Sequence, residues 1–305
     1  MLRAMGRMLH DEIRETLGKL SAQGFPESDA FELLSRWLGV GRAEVRVHPD
    51  RALERSEQLH LEDWLRRRLA GEPVQYITGR AAFRHLDLAV DKRVLIPRPE
   101  TEGLVESVLE VLQAEKLRWP HPRVLDMGTG SGAIALAIAQ EWPLAVVHAS
   151  DASNDALALA RINAATLGLS ERVQFMPGDW YDAIARDERY HVIVSNPPYI
   201  AEEDRDLLPA DVREWEPHDA LFGGTDGLED LRAIIEDAPR HLVAGGLLAL
   251  ELAEDRAAEV AAWLDGANDW ASAQLLDDLA GRPRVLLARR ANGPAIAPAQ
   301  WGEQR

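Results

Sequence analysis

Apolar residues recur at helical spacing through the first quarter of the chain. They lie at Ile13, Leu17 and Leu20 and then recur twice, at Phe31, Leu34, Trp37 and Leu38 and at Leu61, Trp64, Leu65 and Leu69. Such spacing predicts two or three amphipathic helices, which we assign to a small all-helical N-terminal domain over residues 1–72. The run Arg66–Arg68 fits a solvated helix face, or an RNA contact as the alternative.

The pattern changes between residues 73 and 98. Short strand-like runs at Val74–Gly79 and Leu86–Val90 are separated by polar turns, which predicts a β-hairpin linker over 73–98. Pro97 and Pro99 restrict the backbone around Arg98 and hold it extended. Arg98 therefore belongs either to a rigid connector between domains or to the substrate side of a site.

From residue 99 to 290, continuous apolar runs alternate with helical segments. The predicted strands are Arg123–Asp126, Ala145–Ser150, Val173–Met176, Tyr190–Ser195 and Gly246–Leu252, and the helices between them are Ala133–Gln140, Ser153–Leu167 and Glu229–Leu242. This alternation is typical of the α/β class with a doubly wound, mostly parallel sheet. Two later runs, Ala273–Asp277 and Arg284–Ala288, predict a closing hairpin. The tail over 291–305, rich in Ala, Pro and Gly, is expected to be disordered.

Composition narrows the chemistry. The chain of 305 residues has no Cys, which excludes disulfides, a thiolate nucleophile and a Cys-ligated metal, and we predict no metal site. The net charge of -17 argues against tight binding to a phosphate backbone and favours a basic protein partner or a small ligand. The first 20 residues lack an apolar signal core and no segment could span a bilayer, so we expect a cytoplasmic protein with no membrane partner.

The most informative stretch follows the strand Tyr190–Ser195. Two prolines cannot continue a sheet ladder, so Asn196-Pro197-Pro198-Tyr199 forms a rigid extended tetrapeptide whose Pro carbonyls lack a local partner and point outward. The Asn196 side chain and a Pro197 carbonyl can accept the N–H hydrogens of a planar amine or amide, and Tyr199 can lie against its face. The alternative is a purely structural turn.

Three further features fall at the ends of predicted strands, where doubly wound sheets bind ligands. The glycine-rich turn Asp126–Gly132 follows the first strand, Asp151 follows the second, and Gly178-Asp179-Trp180 follows the third. The dinucleotide-binding spacing Gly-x-Gly-x-x-Gly is met if Ala133 takes the place of the last glycine, so the turn also fits a nicotinamide dinucleotide. Each feature also has a simpler interpretation. The turn fits a tight strand-to-helix connection, Asp151 fits an acid at a helix N-terminus, and Asp179-Trp180 fits an ordinary loop. Together they describe an adenosine site, with Asp151 on the ribose hydroxyls, beside an amide or amine site.

These residues resemble the S-adenosylmethionine-dependent methyltransferases that act on planar nitrogens. Four flanking runs make the sequence similar to the HemK-type peptide chain release factor glutamine methyltransferases: Gly71–Ile77, Leu95–Glu102, Val212–Pro217 and Ala280–Leu286. The resemblance covers roughly residues 10 to 290. Trp215 departs from it conservatively, since a smaller aromatic residue is expected there.

The resemblance implies a fold, a cofactor and a substrate. The fold would be a seven-stranded Rossmann-like methyltransferase sheet with its last strand antiparallel, preceded by a helical domain and a hairpin linker. The cofactor would be S-adenosylmethionine, and the substrate would be the glutamine of the Gly-Gly-Gln motif in bacterial release factors, with no direct nucleic acid requirement. The implied cofactor-binding residues are Asp126, Gly128, Thr129, Gly130, Ser131, Gly132, Asp151, Asp179, Trp180 and Asn196. The implied substrate-binding residues are Asn196, Pro197, Pro198, Tyr199 and Arg98, of which Asn196, Pro197 and Tyr199 are assigned to catalysis.

The expected reaction is direct methyl transfer to the amide nitrogen. No residue in these motifs is an evident strong base, so catalysis should rest on alignment, which can supply about 7–11 kcal/mol. Acceptors at Asn196 and Pro197 would stabilise the positive charge that develops on nitrogen. The competing hypotheses are methylation of adenine in DNA, methylation of a glutamine in a large-subunit ribosomal protein, a cofactor-binding protein without catalysis, and a dehydrogenase.

Overall fold

Two compact units make up the protein in the computed structural model, which describes residues 8–41, 45 and 53–291. One unit contains the residues up to Arg80 together with Pro209–Trp215, and the other contains Ala81–Leu208 and the residues from Glu216 onward. The domain boundaries predicted at residues 72 and 98 stay predictions. Of the predicted disordered tail, all but Ala291 lies outside the described residues.

The first unit is helical, as its apolar spacing predicts. Its described helices are Leu9–Ala22 (α1), Glu27–Leu38 (α2), Arg55–Leu69 (α3), Val74–Thr78 (α4) and a short helix at Ala210–Trp215. Leu20, Leu33 and Leu65 are buried together with Val74 and Ile77. The predicted strand at Val74–Gly79 is therefore wrong. Val74 and Ile77 lie three residues apart on one face of a helical turn, and this face packs on the other helices.

The basic run on α3 is only partly a solvated face. Arg66 is exposed, but Arg68 is 4% exposed, and its Nε donates to Asp29 Oδ2 at 2.7 Å. The Arg68 guanidinium also lies 4.0 Å from the centre of the Phe25 ring. The prediction is wrong for Arg68 because its partners lie on and before α2, and helical spacing along α3 carries no sign of them.

A two-stranded hairpin follows, with strands Arg80–Phe83 (β1) and Leu86–Ala89 (β2), and all of its residues after Arg80 belong to the second unit. A hairpin is thus present, with its first strand later in the chain than predicted. Arg84 occupies its turn with a φ of +50° and donates to both carboxylate oxygens of Glu141, at 2.6 and 2.7 Å, and to Glu106 Oε2 at 2.7 Å. These ion pairs hold the hairpin turn against the helices Pro99–Ala114 (α5) and Ala133–Glu141 (α6).

A seven-stranded sheet forms the centre of the second unit. Its strands are Arg123–Met127 (β3), Val146–Asp151 (β4), Val173–Pro177 (β5), Tyr190–Ser195 (β6), Leu242–Glu251 (β7), Trp270–Asp277 (β8) and Pro283–Arg290 (β9). Their order is β5-β4-β3-β6-β7-β9-β8. The strands β3 to β7 are parallel, and β9 runs antiparallel to β7 and β8. The predicted mostly parallel α/β sheet with a closing hairpin is confirmed.

Helices cover both faces of this sheet. Besides α5 and α6 they are Asn154–Thr166 (α7), Glu229–His241 (α8) and Ala257–Ala262 (α9). Val124 faces one apolar layer, while Leu125 and Met127 face the other, so both sides of β3 are buried. Burial on two faces explains why the strands read as continuous apolar runs. In the described part of the chain, no helix has the length and apolar character needed to cross a membrane.

The order of the strands places the switch point of the sheet between β3 and β6. The chain moves outward from β3 to β4 and β5, and then returns to β6 on the other side of β3. Met127 and Ser195 are paired in register at the carboxyl ends of β3 and β6. The glycine-rich turn and the Asn-Pro-Pro-Tyr tetrapeptide therefore leave the sheet side by side, where such folds bind ligands.

Candidate active site

The glycine-rich turn between β3 and α6 depends on backbone conformations that favour glycine. Gly128, Gly130 and Gly132 have φ values of +67°, +55° and +84°. A Cβ added to Gly130 would meet no atom within 4 Å, whereas one added to Gly132 would lie 3.0 Å from a Leu136 methyl group. The turn is thus packed against α6 at one end and open at its middle, where a ligand can approach the backbone closely.

Asp126 lies beneath this turn and is fully buried. Its Oδ2 accepts hydrogen bonds from Thr129 Oγ1 at 2.6 Å and from the Ala135 N–H at 3.1 Å, while its Oδ1 is buried with no partner among the described residues. Burial raises the pKa of Asp126 to about 7, against the lowering effect of those two hydrogen bonds. Thr129 and Ser131 are also buried, so their side chains shape the turn from inside.

Asp151 lies at the end of β4, next to the turn. Its Oδ2 accepts from the Gly130 N–H and its Oδ1 from the Ser153 N–H, both at 2.8 Å. Burial raises the pKa of Asp151, and these two N–H groups act in the opposite direction. A carboxylate has about four acceptor positions, so two remain for hydroxyl donors. Two functions were considered for Asp151: stabilising the start of α7 as an N-terminal acid, and binding a ligand. Both are compatible with this geometry.

Trp180 follows the end of β5 and lies beside the glycine-rich turn. Its ring lies near Gly128, since a Cβ at Gly128 would be 3.6 Å from Trp180 Cζ3, and its Nε1 donates to Asp230 Oδ1 at 3.0 Å. The φ of Trp180 is +37°, an unfavourable value for a tryptophan that often marks a functional position. Asp179 is exposed beside it. Asp230, in the first turn of α8, was missed by the sequence analysis, although it fixes the indole.

The Asn-Pro-Pro-Tyr tetrapeptide is supported from behind by a loop that sequence reasoning did not single out. A Cβ at Gly223 would lie 2.4 Å from the Pro198 oxygen, and one at Gly227 would lie 2.6 Å from the Tyr199 oxygen. The Pro198 carbonyl therefore lies against backbone rather than pointing outward as predicted. The Pro197 carbonyl accepts no hydrogen bond from the described residues. The glycine-rich run Gly223-Gly224-Thr225-Asp226-Gly227 is the sequence feature that could have indicated this close backbone contact.

The side chains of the tetrapeptide contact two other elements. Asn196 Nδ2 donates to Thr101 Oγ1, in the first turn of α5, at 3.2 Å. The Tyr199 hydroxyl lies 3.5 Å from Glu251 Oε1, at the end of β7, and burial raises the pKa of Tyr199 to about 12. Glu251 is 1% exposed. Neither Thr101 nor Glu251 was predicted as a site residue. Thr101 lies in the run Leu95–Glu102 that resembles the family, but this run does not indicate that its hydroxyl meets Asn196, and Glu251 stands in an ordinary apolar strand.

Arg98 is paired with a buried carboxylate. Its Nη2 donates to Glu216 Oε1 at 2.6 Å, and Glu216 Oε2 accepts from the Ile96 N–H at 3.1 Å. Glu216 thus stabilises the conformation of the Ile-Pro-Arg-Pro segment by binding both Ile96 and Arg98. One amino group of the guanidinium, Nη2, is used in this way, and the substrate contact proposed for Arg98 stays a prediction.

Asn163 of α7 joins the hairpin to the glycine-rich turn. Its Oδ1 accepts from the Ala89 N–H at 2.7 Å, and its Nδ2 donates to the Ala89 oxygen at 3.0 Å and to the Ser131 oxygen at 2.8 Å. The side chain is buried with both polar atoms bonded. The hairpin described as a linker therefore also supports the glycine-rich turn, a function that the helical pattern around Asn163 does not predict.

Family models match two parts of the chain. The PrmC N-terminal domain matches residues 12–79, and the methyltransferase small domain matches residues 106–210. Among solved structures, the catalytic domain of hMettl16 in complex with the MAT2A 3'UTR hairpin 6 is similar in fold, with a TM-score of 0.57 at 15% identity. The similarity covers 81% of this chain and 87% of that one.

The chain also aligns with curated relatives over nearly the whole length of each relative. A release factor glutamine methyltransferase of Pseudomonas aeruginosa is 44% identical over 261 residues, which is 86% of this chain and 91% of the relative. A protein of the same name from Rhodopirellula baltica is 38% identical over 266 residues, or 87% of this chain and 90% of the relative. The aligned regions include the turn, the strand ends and the tetrapeptide described above.

Proposed function

Because this chain belongs to the family of release factor glutamine methyltransferases, we propose that it transfers a methyl group from S-adenosylmethionine to the glutamine side-chain amide of a peptide chain release factor. The observation that carries the proposal is the register of Met127 with Ser195, which places the glycine-rich turn beside Asn196. The target would be the Gly-Gly-Gln glutamine of bacterial release factors. A partner that acts in translation implies a location in the cytoplasm.

The residues at the turn fit the proposed cofactor. The open space at Gly130, the remaining acceptor positions of Asp151 and the buried, unpartnered Oδ1 of Asp126 offer a close backbone approach and acceptors for hydroxyl or ammonium donors. We assign cofactor binding to Asp126, Gly128, Thr129, Gly130, Ser131, Gly132, Asp151, Asp179, Trp180 and Asn196. When bound, S-adenosylmethionine supplies an electrophilic methyl group on a sulfonium sulfur.

The chain's own contribution is to bind and orient the amide. Neither Asn196 Oδ1 nor the Pro197 carbonyl oxygen accepts a hydrogen bond from a described residue, and in this proposal they accept the two N–H hydrogens of the glutamine. These acceptors stabilise positive charge as it develops on nitrogen, and the aromatic ring of Tyr199 bounds the site beside them. Pro198 and Arg98 complete the proposed substrate side. Alignment can contribute about 7–11 kcal/mol without a strong base.

Mass spectrometry of a release factor incubated with the protein and S-adenosylmethionine tests the proposal. We expect one added methyl group on the peptide that contains Gly-Gly-Gln, and none when that glutamine is replaced by alanine. A large-subunit ribosomal protein and double-stranded DNA serve as competing substrates. Methylation of either in preference to the release factor would overturn the assignment of substrate, and no methylation of any of the three would overturn the proposed activity.

A further inference from the structure

Three elements meet at a buried carboxylate beside the tetrapeptide. Glu251 ends β7, Thr101 lies in the first turn of α5, and Asn196 and Tyr199 follow β6. We call these four residues the carboxylate cluster. Glu251 is 1% and Thr101 4% exposed, so the polar atoms of both side chains depend on partners within the protein.

One hydrogen bond joins Thr101 to Asn196. Asn196 Nδ2 donates to Thr101 Oγ1 at 3.2 Å, so the hydroxyl oxygen of Thr101 is the acceptor in this pair. With its N–H₂ group held in this way, Asn196 presents its Oδ1 on the opposite side of the amide. The Tyr199 hydroxyl, 3.5 Å from Glu251 Oε1, is oriented toward the same carboxylate.

We propose that Thr101 is a positioning residue that fixes the side-chain amide of Asn196 with its oxygen toward the glutamine nitrogen. The inference rests on the proposed function, because the glutamine is the group that this oxygen would meet. Reversal of the Thr101 hydroxyl would allow Asn196 to turn its N–H₂ group toward the glutamine, and two donors would then face each other.

Variants of Thr101 test the proposal at constant shape. Thr101→Val removes the hydroxyl, and we expect the single-turnover rate to fall about tenfold or more, while KM for the release factor and the affinity for S-adenosylmethionine change less than about threefold. Thr101→Ser restores the hydroxyl and should recover most of the rate. The matched control is Ser107→Ala on the same helix, which removes a buried hydroxyl that donates within α5, to the Gly103 oxygen at 2.8 Å. A Thr101→Val rate equal to that of Ser107→Ala would overturn the proposal.

A second measurement needs no substrate. In nuclear magnetic resonance spectra, one Asn196 side-chain N–H should be shifted by its hydrogen bond in wild type and in Thr101→Ser, but not in Thr101→Val. The Asn196 signals are assigned by their loss in Asn196→Ala. If wild type methylates no release factor, the proposed function fails, and this shift still decides whether Thr101 positions Asn196. An unchanged shift in Thr101→Val overturns the positioning role.

Discussion

The Asp151 carboxylate accepts a hydrogen bond from the Gly130 backbone N–H at 2.8 Å. The acid at the end of β4 therefore holds the middle of the glycine-rich turn that follows β3. A single side chain thus shapes the turn and faces the region where a ribose is proposed to bind. Loss of this carboxylate should affect both the turn and the ligand.

Replacement of Asp151 by alanine should weaken the binding of S-adenosylmethionine at least tenfold. Charge-assisted hydrogen bonds contribute about 1.5–3 kcal/mol each, and the variant loses those to a ribose as well as the one that orders Gly130. Isothermal titration calorimetry measures the affinity. Asp155→Ala, which removes an exposed carboxylate from the first turn of α7, is the matched control. Wild-type affinity in a folded Asp151→Ala protein would remove Asp151 from the site.

Asn196→Ala should lower the methylation rate more than it weakens binding of the release factor. Loss of one preorganised polar group in other enzymes costs about 10²- to 10³-fold in rate, because its interaction is strongest in the transition state. Single-turnover kinetics with a folded variant measures the effect. Asn196→Asp keeps an acceptor but loses the donor to Thr101, so it separates the two uses of the amide. A rate for Asn196→Ala within about threefold of wild type would contradict the mechanism, since the lost interaction should cost at least about 1 kcal/mol.

Asn163→Leu should destabilise the protein and weaken the binding of S-adenosylmethionine together. The substitution leaves the N–H and oxygen of Ala89 and the oxygen of Ser131 without their partner, and each buried unsatisfied group costs about 1–3 kcal/mol. Urea denaturation and calorimetry measure the two effects. The control is Asn154→Ala, at the exposed start of α7. Full stability of Asn163→Leu would show that the hairpin does not depend on this side chain.

Gly223→Ala should lower both stability and methylation rate. Its Cβ would lie 2.4 Å from the Pro198 oxygen, so the backbone of the tetrapeptide must move, at a cost of about 1–3 kcal/mol typical of overpacking. Gly103→Ala on α5 is the matched control, because its Cβ would meet no atom within 4 Å and alanine favours a helix by about 1 kcal/mol. Melting temperatures and single-turnover rates compare the two. Equal effects of the two substitutions would exclude close packing as the reason for glycine at 223.

Asp126 should make the stability of the protein depend on pH. Its folded pKa, about 7, exceeds its ordinary value of 3.8 because of burial, so the folded state holds this proton more tightly than the unfolded state does. The stabilisation that Asp126 gives to the folded state is therefore fully present below about pH 4 and is lost as the pH rises to about 7. At about 1.4 kcal/mol per pH unit, the free energy of unfolding of wild type should fall relative to Asp126→Asn by up to about 4 kcal/mol.

Denaturant unfolding of both proteins across this pH range measures the difference. Asp91→Asn is a control of opposite sign, since the hydrogen bond from Arg93 lowers the pKa of Asp91, and its stabilisation is lost as the pH falls. A constant difference between wild type and Asp126→Asn from pH 4 to 8 would show that Asp126 titrates normally.

Much of the second unit could be predicted from the sequence because its signals are local. Burial on both faces requires strands such as Tyr190–Ser195 to be apolar throughout, and paired prolines must end a strand wherever it lies. Glycine in the turn Gly128–Gly132 likewise reflects the backbone of those residues alone. The sheet class, the order of helices and strands, and the stretches at the candidate site follow from such local constraints.

Tertiary structure decided which side chains act together. The Val74–Thr78 segment is a helix because its apolar face packs on α1, α2 and α3, although its residues read equally well as a strand. Thr101 and Glu251 are far apart in the chain and reach Asn196 and Tyr199 only because α5 begins, and β7 ends, at the same edge of the sheet. A buried polar group must find a partner, but its own sequence neighbourhood does not record which distant residue supplies one.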